Sequence, residues 1–278
     1  MFAIFNSRNF GLWIDGIDES FRNALIPIAD IANHESPSGS HWTYDNNGDL
    51  GSGFYARSVG GTKKGDQFYL SYGENKIANV MFESYGFILP GNSIKAYSFT
   101  MGRKYTNTDG SDKMSEFQYD VTTNFYSDTM RELFYFYRAM LSGDSKLLKL
   151  DKESTTIARI SSFSIENETA VVDRIRAISR VALESYPRSL AEDQELFKRD
   201  DLTLNQRNSL RITSMEKQVL ETLIKNTTSV LGILAMDKED AVVNILSKST
   251  KEKTKKSVYK YLKEDLLPML QGRGGMLY

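Results

Sequence analysis

Ala24-Leu25-Ile26-Pro27-Ile28-Ala29-Asp30-Ile31-Ala32-Asn33-His34 is the stretch on which the reading of this chain turns. An apolar run interrupted by Pro27 gives way to three polar side chains, Asp30, Asn33 and His34. His34 is one of only two histidines. Thirty-eight residues after it stands Tyr72, inside Phe68-Tyr69-Leu70-Ser71-Tyr72-Gly73, and thirteen further on Tyr85, inside Tyr85-Gly86-Phe87. Upstream lies Ser7-Arg8-Asn9-Phe10. Each piece alone is weak. Together, in this order, they are far more specific than composition.

Composition around these landmarks excludes several classes. The 278 residues are 40% hydrophobic and 26% charged, a globular balance. A chain of this length buries roughly 70–75% of its unfolded surface and needs no disulfide or metal staple. It has no cysteine, which rules out disulfides, thiolate zinc sites and a Cys nucleophile. Two histidines, His34 and His41, leave little room for an imidazole-rich metal site, so no metal is expected. The net charge of −1 gives no general attraction to nucleic acid. The longest apolar run, Val230–Met236, is far too short to span a membrane. No basic segment precedes an apolar stretch at Met1, so no signal peptide is expected. These features point to a soluble intracellular protein, of cytoplasm or nucleus.

The chain changes character near residue 100. Residues 1–100 carry a net charge of −3 and are dense in Gly, Asn and Ser. Phe54–Val59 and Gln67–Tyr72 read as short strands, with Gly60-Gly61 and Lys63-Lys64-Gly65-Asp66 as turns. From residue 101 the period lengthens. Met130, Leu133, Phe134, Tyr137 and Leu141 repeat at helical spacing behind an Asp128 cap, and Val171, Val172, Ile175 and Ile178 do the same. Three capping-box patterns are expected to open helices: Ser189 with Glu192, Thr203 with Gln206, and Thr213 with Glu216. A last helix is expected over about 255–266, with Pro268 near its end. Phe134, Phe136 and Tyr137 read as core, and Lys248–Lys256 as a solvated face. The expected architecture is α+β: an irregular β-rich domain over 1–100, then a mostly helical domain over 101–278.

The landmark residues resemble the carboxyl half of a SET domain, of the branch that includes the Rubisco large-subunit lysine methyltransferase. That family has an apolar strand ending in Pro-x-x-Asp-x-x-Asn-His, then a Gly-Glu-x-x-x-x-x-Tyr-Gly strand, then Tyr-Gly-Phe. Here Gly65-Asp66 stands where Gly-Glu is usual. Ser7-Arg8-Asn9-Phe10 resembles a Ser-Arg-x-Phe on the helix before the apolar strand. Tyr186-Pro187-Arg188-Ser189, the Arg207–Arg211 segment and Glu216-Lys217-Gln218-Val219-Leu220 are similar to the helical substrate-binding domain that follows SET in this branch.

The resemblance implies methyl transfer from S-adenosylmethionine to a lysine of a protein partner. It implies catalytic roles for Tyr72 and Tyr85, and cofactor binding at Asn33 and His34. Arg8, Phe10 and Asp30 would line the substrate side, with Tyr44, or Trp42 two residues earlier, as a further channel aromatic. A relative that methylates a histidine carries Asn where Phe10 stands, so Phe10 is the lysine-type choice. The chemistry suits tyrosine: an in-line displacement needs a neutral amine, held in place and shielded from water. A phenol can orient that amine without adding a full charge.

Ordinary roles weigh against each residue taken singly. In a chain with 15 tyrosines most are half-buried packing residues. A lone histidine is more often structural, and Arg8 could simply pair with a carboxylate.

Only 32 residues precede Asn33. The family's Gly-x-Gly loop and its neighbouring Glu, which hold the cofactor, have no counterpart: Gly51-Ser52-Gly53 reads as a hairpin turn, and Gly272-Arg273-Gly274-Gly275 as a loose tail. Lys76-Ile77-Ala78-Asn79 replaces the family's Ser-Asn-Ala-Glu. The expectation is therefore a lysine methyltransferase-like protein whose transfer by this chain alone is weak or absent. Its alternatives are a non-catalytic SET-derived protein-binding module and a structural subunit of an assembly.

Overall fold

The computed structural model describes residues 7–13, 21–35, 39–45, 51–73, 78–88, 95–106, 112–143, 160–236, 242–243 and 253–272. The chain divides into two compact units, Met1–Ile94 and Lys95–Tyr278.

The first unit is built from short strand pairs. β1 (Asn9–Trp13) and β2 (Phe21–Leu25) are antiparallel, with Asn9 opposite Leu25. Ser-Arg-x-Phe thus runs off a helical turn onto a strand at Asn9, and Phe10 is a strand residue rather than a helical one. Phe10 pairs with Ala24 across the ladder. Pro27, without an N–H, lies just past the end of β2. Ile28 follows at φ 74, a left-handed conformation that a β-branched residue seldom takes. The reversal is held by Asp30 N–H donating to the Ile26 carbonyl (3.0 Å) and Ile31 N–H to that of Ile28 (3.3 Å). It leads into a 3-10 turn, Ala29–Ile31, and then β3 (Asn33–His34).

β4 (Ser40–Asp45) and β5 (Gly53–Ser58) form an antiparallel hairpin, and β6 (Tyr69–Leu70) pairs in parallel with β3. Gly51 and Ser52 sit on the hairpin's connection, as expected of a turn. Asp66 also serves a turn: its carboxylate accepts the Lys63 N–H at 2.8 Å. Helix α1 (Ala78–Tyr85) closes the unit. Leu12, Leu70, Ala78, Met81 and Ile88 are its buried apolar residues.

The second unit opens with two long antiparallel strands, β7 (Ala96–Thr106) and β8 (Asp112–Thr122). Their inward positions alternate along β8, where Tyr119 and Val121 are buried. The mostly helical region thus begins with a strand pair, and its first helix starts at Asp128 as the periodicity requires. Helices follow: α2 (Asp128–Leu141), α3 (Ile165–Glu184), α4 (Leu190–Phe197) and α5 (Leu204–Leu234).

The α2 cap is Ser127, whose hydroxyl accepts the Met130 N–H, so Asp128 is the first helical residue. Both capping boxes at Ser189 and Thr203 form. Thr213 does not start a helix. No Gly or Pro interrupts 204–231, and α5 runs on through Thr213 for 31 residues, about 46 Å. The Thr213 hydroxyl instead donates to the Leu210 carbonyl and the Asp193 carboxylate.

The last helical stretch is broken in type. α6 (Lys253–Tyr261) passes into a π-helical segment, Leu262–Leu266, and then α7 (Leu267–Leu270), which contains Pro268. Widening the helix just before a proline accommodates a residue that cannot donate backward. Phe134, Val172, Ile175, Leu220 and Tyr261 belong to one buried core, as the apolar stripes require.

A charged clasp sits inside that core. Arg138 donates to both Glu168 oxygens, at 2.8 and 2.6 Å, to the Ile160 carbonyl at 2.9 Å and to Asp265 at 3.2 Å. Tyr261 donates to Glu168 at 2.5 Å. The clasp ties α2, α3 and the π segment together. No helix of the structure is long and apolar enough to cross a membrane. Lys76, Ile77, the 248–252 part of the lysine-rich stretch and 273–275 of the tail lie outside the described residues.

Candidate active site

Tyr72 is gripped at both ends. The turn at Ala29–Ile31 leaves the Ala32 carbonyl facing it, and the phenol hydroxyl donates to that oxygen at 2.6 Å. The Tyr72 backbone N–H donates to Nδ1 of His34 at 3.0 Å. Nδ1 is therefore an acceptor, and the ring proton of a neutral His34 resides on Nε2. The Leu70 carbonyl also lies 3.2 Å from Nδ1, but it is served by the Glu35 N–H at 3.3 Å. The imidazole stacks on the Tyr72 ring, centroids 5.1 Å apart.

Tyr85 reaches the same place from the last residue of α1. Gly86, at φ 77, ends that helix in the left-handed conformation that terminates many helices. Its N–H donates to the Phe82 carbonyl at 2.8 Å. The reversal brings Tyr85 to 4.6 Å from Tyr72, centroid to centroid. Phe87 closes the cluster at 6.2 Å from His34 and 6.3 Å from each tyrosine.

A second aromatic group contributes Phe10 and Trp42 to the lining of the same cleft. Phe10 meets Trp42 at 5.1 Å and Phe54 at 4.9 Å, both edge-on. The cleft measures about 210 Å³, and its lining includes Arg8, Phe10, Asp30, Trp42, Tyr72 and Tyr85. Arg8 is fixed there by donating to the Asp30 carbonyl at 2.9 Å. Burial raises the Tyr72 hydroxyl above its usual range; the Arg8 charge works against this and Tyr85 adds to it. Tyr72 thus stays a neutral phenol at physiological pH. With its proton committed to Ala32, its oxygen lone pairs remain free to accept from an incoming amine.

The cleft brings together Tyr72, Tyr85, Arg8, Phe10 and Asp30 from four separated stretches of sequence. Asn33 and His34 do not line it. They form β3 behind Tyr72, opposite Tyr69 and Leu70. Tyr44 is not part of the lining either; Trp42, on the same face of β4, is. Sequence reasoning missed Phe54, Phe87 and the Ala32 carbonyl. Phe54 had a signal, since a hairpin turning at Gly51-Ser52-Gly53 sets it opposite Tyr44.

Comparison with known proteins accords with this arrangement. Residues 104–220 match the family model described as Rubisco LSMT substrate-binding. No curated protein matches the chain. Among solved structures, the SET domain of LSMT bound to lysine and AdoHcy matches with 20% identity and a TM-score of 0.62, over 84% of this chain and 56% of that one. Rubisco LSMT bound to AdoMet matches with 20% identity and a TM-score of 0.59, over 91% of this chain and 59% of that one. The fold is thus the α+β SET type followed by a helical domain of the Rubisco LSMT kind. The chain spans a little over half the length of those structures.

Proposed function

We propose that the chain is the acceptor-side part of a SET-type protein-lysine N-methyltransferase, with a helical unit that engages the substrate protein. The observation that carries this is the pairing of Tyr72 with Tyr85 at 4.6 Å on a narrow cleft walled by Phe10 and Trp42. About 210 Å³ suits one extended side chain. Aromatic walls suit the aliphatic stem and the cationic end of lysine. The Tyr72 oxygen can orient the amine, and water exclusion favours its neutral form, whose unperturbed pKa is about 10.4. The folded relatives contain lysine or AdoMet, and the Rubisco LSMT substrate-binding match supports a protein as substrate.

S-adenosylmethionine is the cofactor this reading implies; it would supply the methyl group on a sulfonium. The described residues do not make a full cradle for it. The cleft falls below the roughly 300–1,000 Å³ of ordinary small-molecule pockets. The neighbouring hollow, about 570 Å³, is lined by Ile26, Ile28, Ile31, Phe54 and Phe68, with Gln67 its one polar side chain. That lining offers no charged partner for a methionine carboxylate. This lining of the described residues supports the reading that transfer by residues 1–278 alone is weak or absent.

Isothermal titration tests this part. Residues 1–278 should show no tight uptake of S-adenosylmethionine, and micromolar binding would reverse it. A second reading, a non-catalytic protein-binding module or structural subunit, is favoured by the same apolar hollow and by Leu25, Ile28 and Ile31 being 51%, 81% and 67% exposed. It predicts a stable protein complex that survives Tyr72→Phe.

A further inference from the structure

We infer that the helical unit carries a docking cleft for an acidic-apolar peptide segment: an extended stretch of the substrate protein in which an Asp or Glu stands beside an apolar side chain, its carboxylate meeting Arg188. The inference rests on the reading of the helical unit as the part that engages a substrate protein, and says where and by what chemistry it does so. The cleft measures about 520 Å³ and is lined from Arg188, just ahead of α4, to Thr213 on α5. All of that lining falls within the residues that match the Rubisco LSMT substrate-binding model.

The walls are held in place by other residues. Arg207 donates to the carbonyls of Phe197 and Arg199, at 3.5 and 2.7 Å, and so ties the end of α4 and the turn after it to α5. Its guanidinium and that of Arg211 lie over the Phe197 ring, 5.9 and 5.8 Å from its centre. At the other end, the buried Asp193 carboxylate accepts from Lys217 on one oxygen and from Arg188 Nε, at 3.0 Å, on the other. That bond fixes the Arg188 guanidinium, yet no described residue accepts from its two Nη groups.

Three charged side chains line the cleft. Arg199 and Asp201 satisfy each other, at 2.9 and 2.5 Å, which leaves Arg188 as the cation in surplus. Glu192 is close enough to feel the Arg188 charge, but its carboxylate is engaged by the Ser189 N–H and hydroxyl, and it is not part of the lining. The Arg188 side chain is 47% exposed. An incoming carboxylate therefore meets a guanidinium already held in position, with unused donors. The apolar lining is Leu196, Leu202 and Leu210, and Leu202 is only half buried. Along α5, Asn205, Ser209 and Thr213 follow at steps of four residues and share a face about 12 Å long. Thr213 is engaged with Asp193 and Leu210, whereas the Asn205 amide and the Ser209 hydroxyl have no described protein partner. They can serve the backbone N–H and C=O groups of an extended segment, which covers that length in about four residues. A bare anion would leave the leucines unused, and a basic segment would face Arg188.

The test is amide chemical-shift mapping on ¹⁵N-labelled residues 1–278. The probes are end-blocked peptides: Ala-Leu-Asp-Leu-Ala, the same with Lys for Asp, and the same with Ser for both Leu. The first should shift amides between 188 and 213 saturably. The other two should bind about tenfold more weakly or less, as expected for losing a hydrogen bond between charged groups or the apolar contacts. Arg188→Gln should weaken the first peptide by a similar factor. Because that change also touches Asp193, Ser209→Trp supplies a second arm. Ser209 is exposed, and a large ring there fills the cleft while the bonds of Arg188 and Asp193 stay in place; it should abolish the shifts. Four results overturn the inference: no saturable shift, equal response to the Asp and Lys peptides, inorganic phosphate binding as tightly as the Asp peptide, or binding that survives Ser209→Trp. No readout involves methyl transfer or the Tyr72 cleft, so a failure here is distinct from a failure of the methyltransferase reading. The labelled parent gives its answer even if a variant does not fold.

Discussion

The rings of Tyr72 and Tyr85 lie 4.6 Å apart, tilted by 38°, although one follows a two-residue strand and the other ends a helix. Their meeting depends on two reversals: the turn after Pro27 that brings Ala32 and His34 under Tyr72, and the left-handed Gly86 that ends α1. Every consequence for function passes through that pair.

Replacing Tyr72 by Phe should remove one phenol that ionises above the ordinary value of about 10. The check is an alkaline absorbance titration of parent and variant. Their difference should be a single late step, because burial opposes the phenolate. A difference step at or below 10 would mean that Tyr72 is solvated.

Arg138→Met should unfold the second unit far more easily, by about 3–5 kcal/mol, because Glu168 and Asp265 would remain buried without their cation. The midpoint of denaturant unfolding measures it. A loss under about 1 kcal/mol would show that water reaches the clasp.

Two buried carboxyls should give opposite acid behaviour. Asp193 is buried, which by itself raises its pKa. Hydrogen bonds from Lys217 and Arg188 and their charges outweigh that and hold it below the usual carboxylate value. The stability it contributes is present above its unfolded pKa and lost as pH falls through the lowered folded value. Asp265 is raised, first by burial, against the pull of Arg138. Its contribution is fully present below the unfolded pKa and is lost as pH rises through the folded one. Melting temperature followed against pH should therefore lose its acid-side fall in Asp193→Asn, and lose a decline with rising pH in Asp265→Asn. The reverse pattern would contradict both assignments.

Ile28→Gly should leave stability unchanged or raise it by about 0.5–1 kcal/mol. The left-handed backbone at φ 74 strains a β-branched residue by roughly 1–2 kcal/mol, and the side chain, 81% exposed, gives little packing in return. Glycine's own entropy cost offsets part of the gain. Chemical denaturation of the pair checks it, and a clear loss would show that the Ile28 side chain is engaged.

Much of this was legible in the sequence. Of the Pro27-to-His34 motif and the tyrosines behind it, Asp30, Tyr72 and Tyr85 line one cleft, while Asn33 and His34 stand behind Tyr72. Ser189 and Thr203 announced their helices because a capping box is a local arrangement of four residues. Thr213 shows the limit: the same pattern inside an unbroken helix is just two polar side chains one turn apart. The β7–β8 pair escaped notice because its buried residues, such as Phe99, Tyr119 and Val121, are interleaved with polar ones such as Thr100, Gln118 and Asp120. The choice between Tyr44 and Trp42 could not be made either, since both share one face of β4 and only the neighbours of that face decide which reaches the cleft. The role of His34 was hidden for the same reason: its partner is a backbone N–H thirty-eight residues away.

The central claim is that this cleft receives a lysine side chain between Tyr85 and Trp42. Trp13→Phe leaves Trp42 as the sole tryptophan, and its fluorescence can be followed as N-methyl-lysine is added. The account predicts a saturable change that Tyr85→Ala abolishes while the fold, by circular dichroism, is retained. An unresponsive Trp42, or one that responds equally without Tyr85, would contradict it.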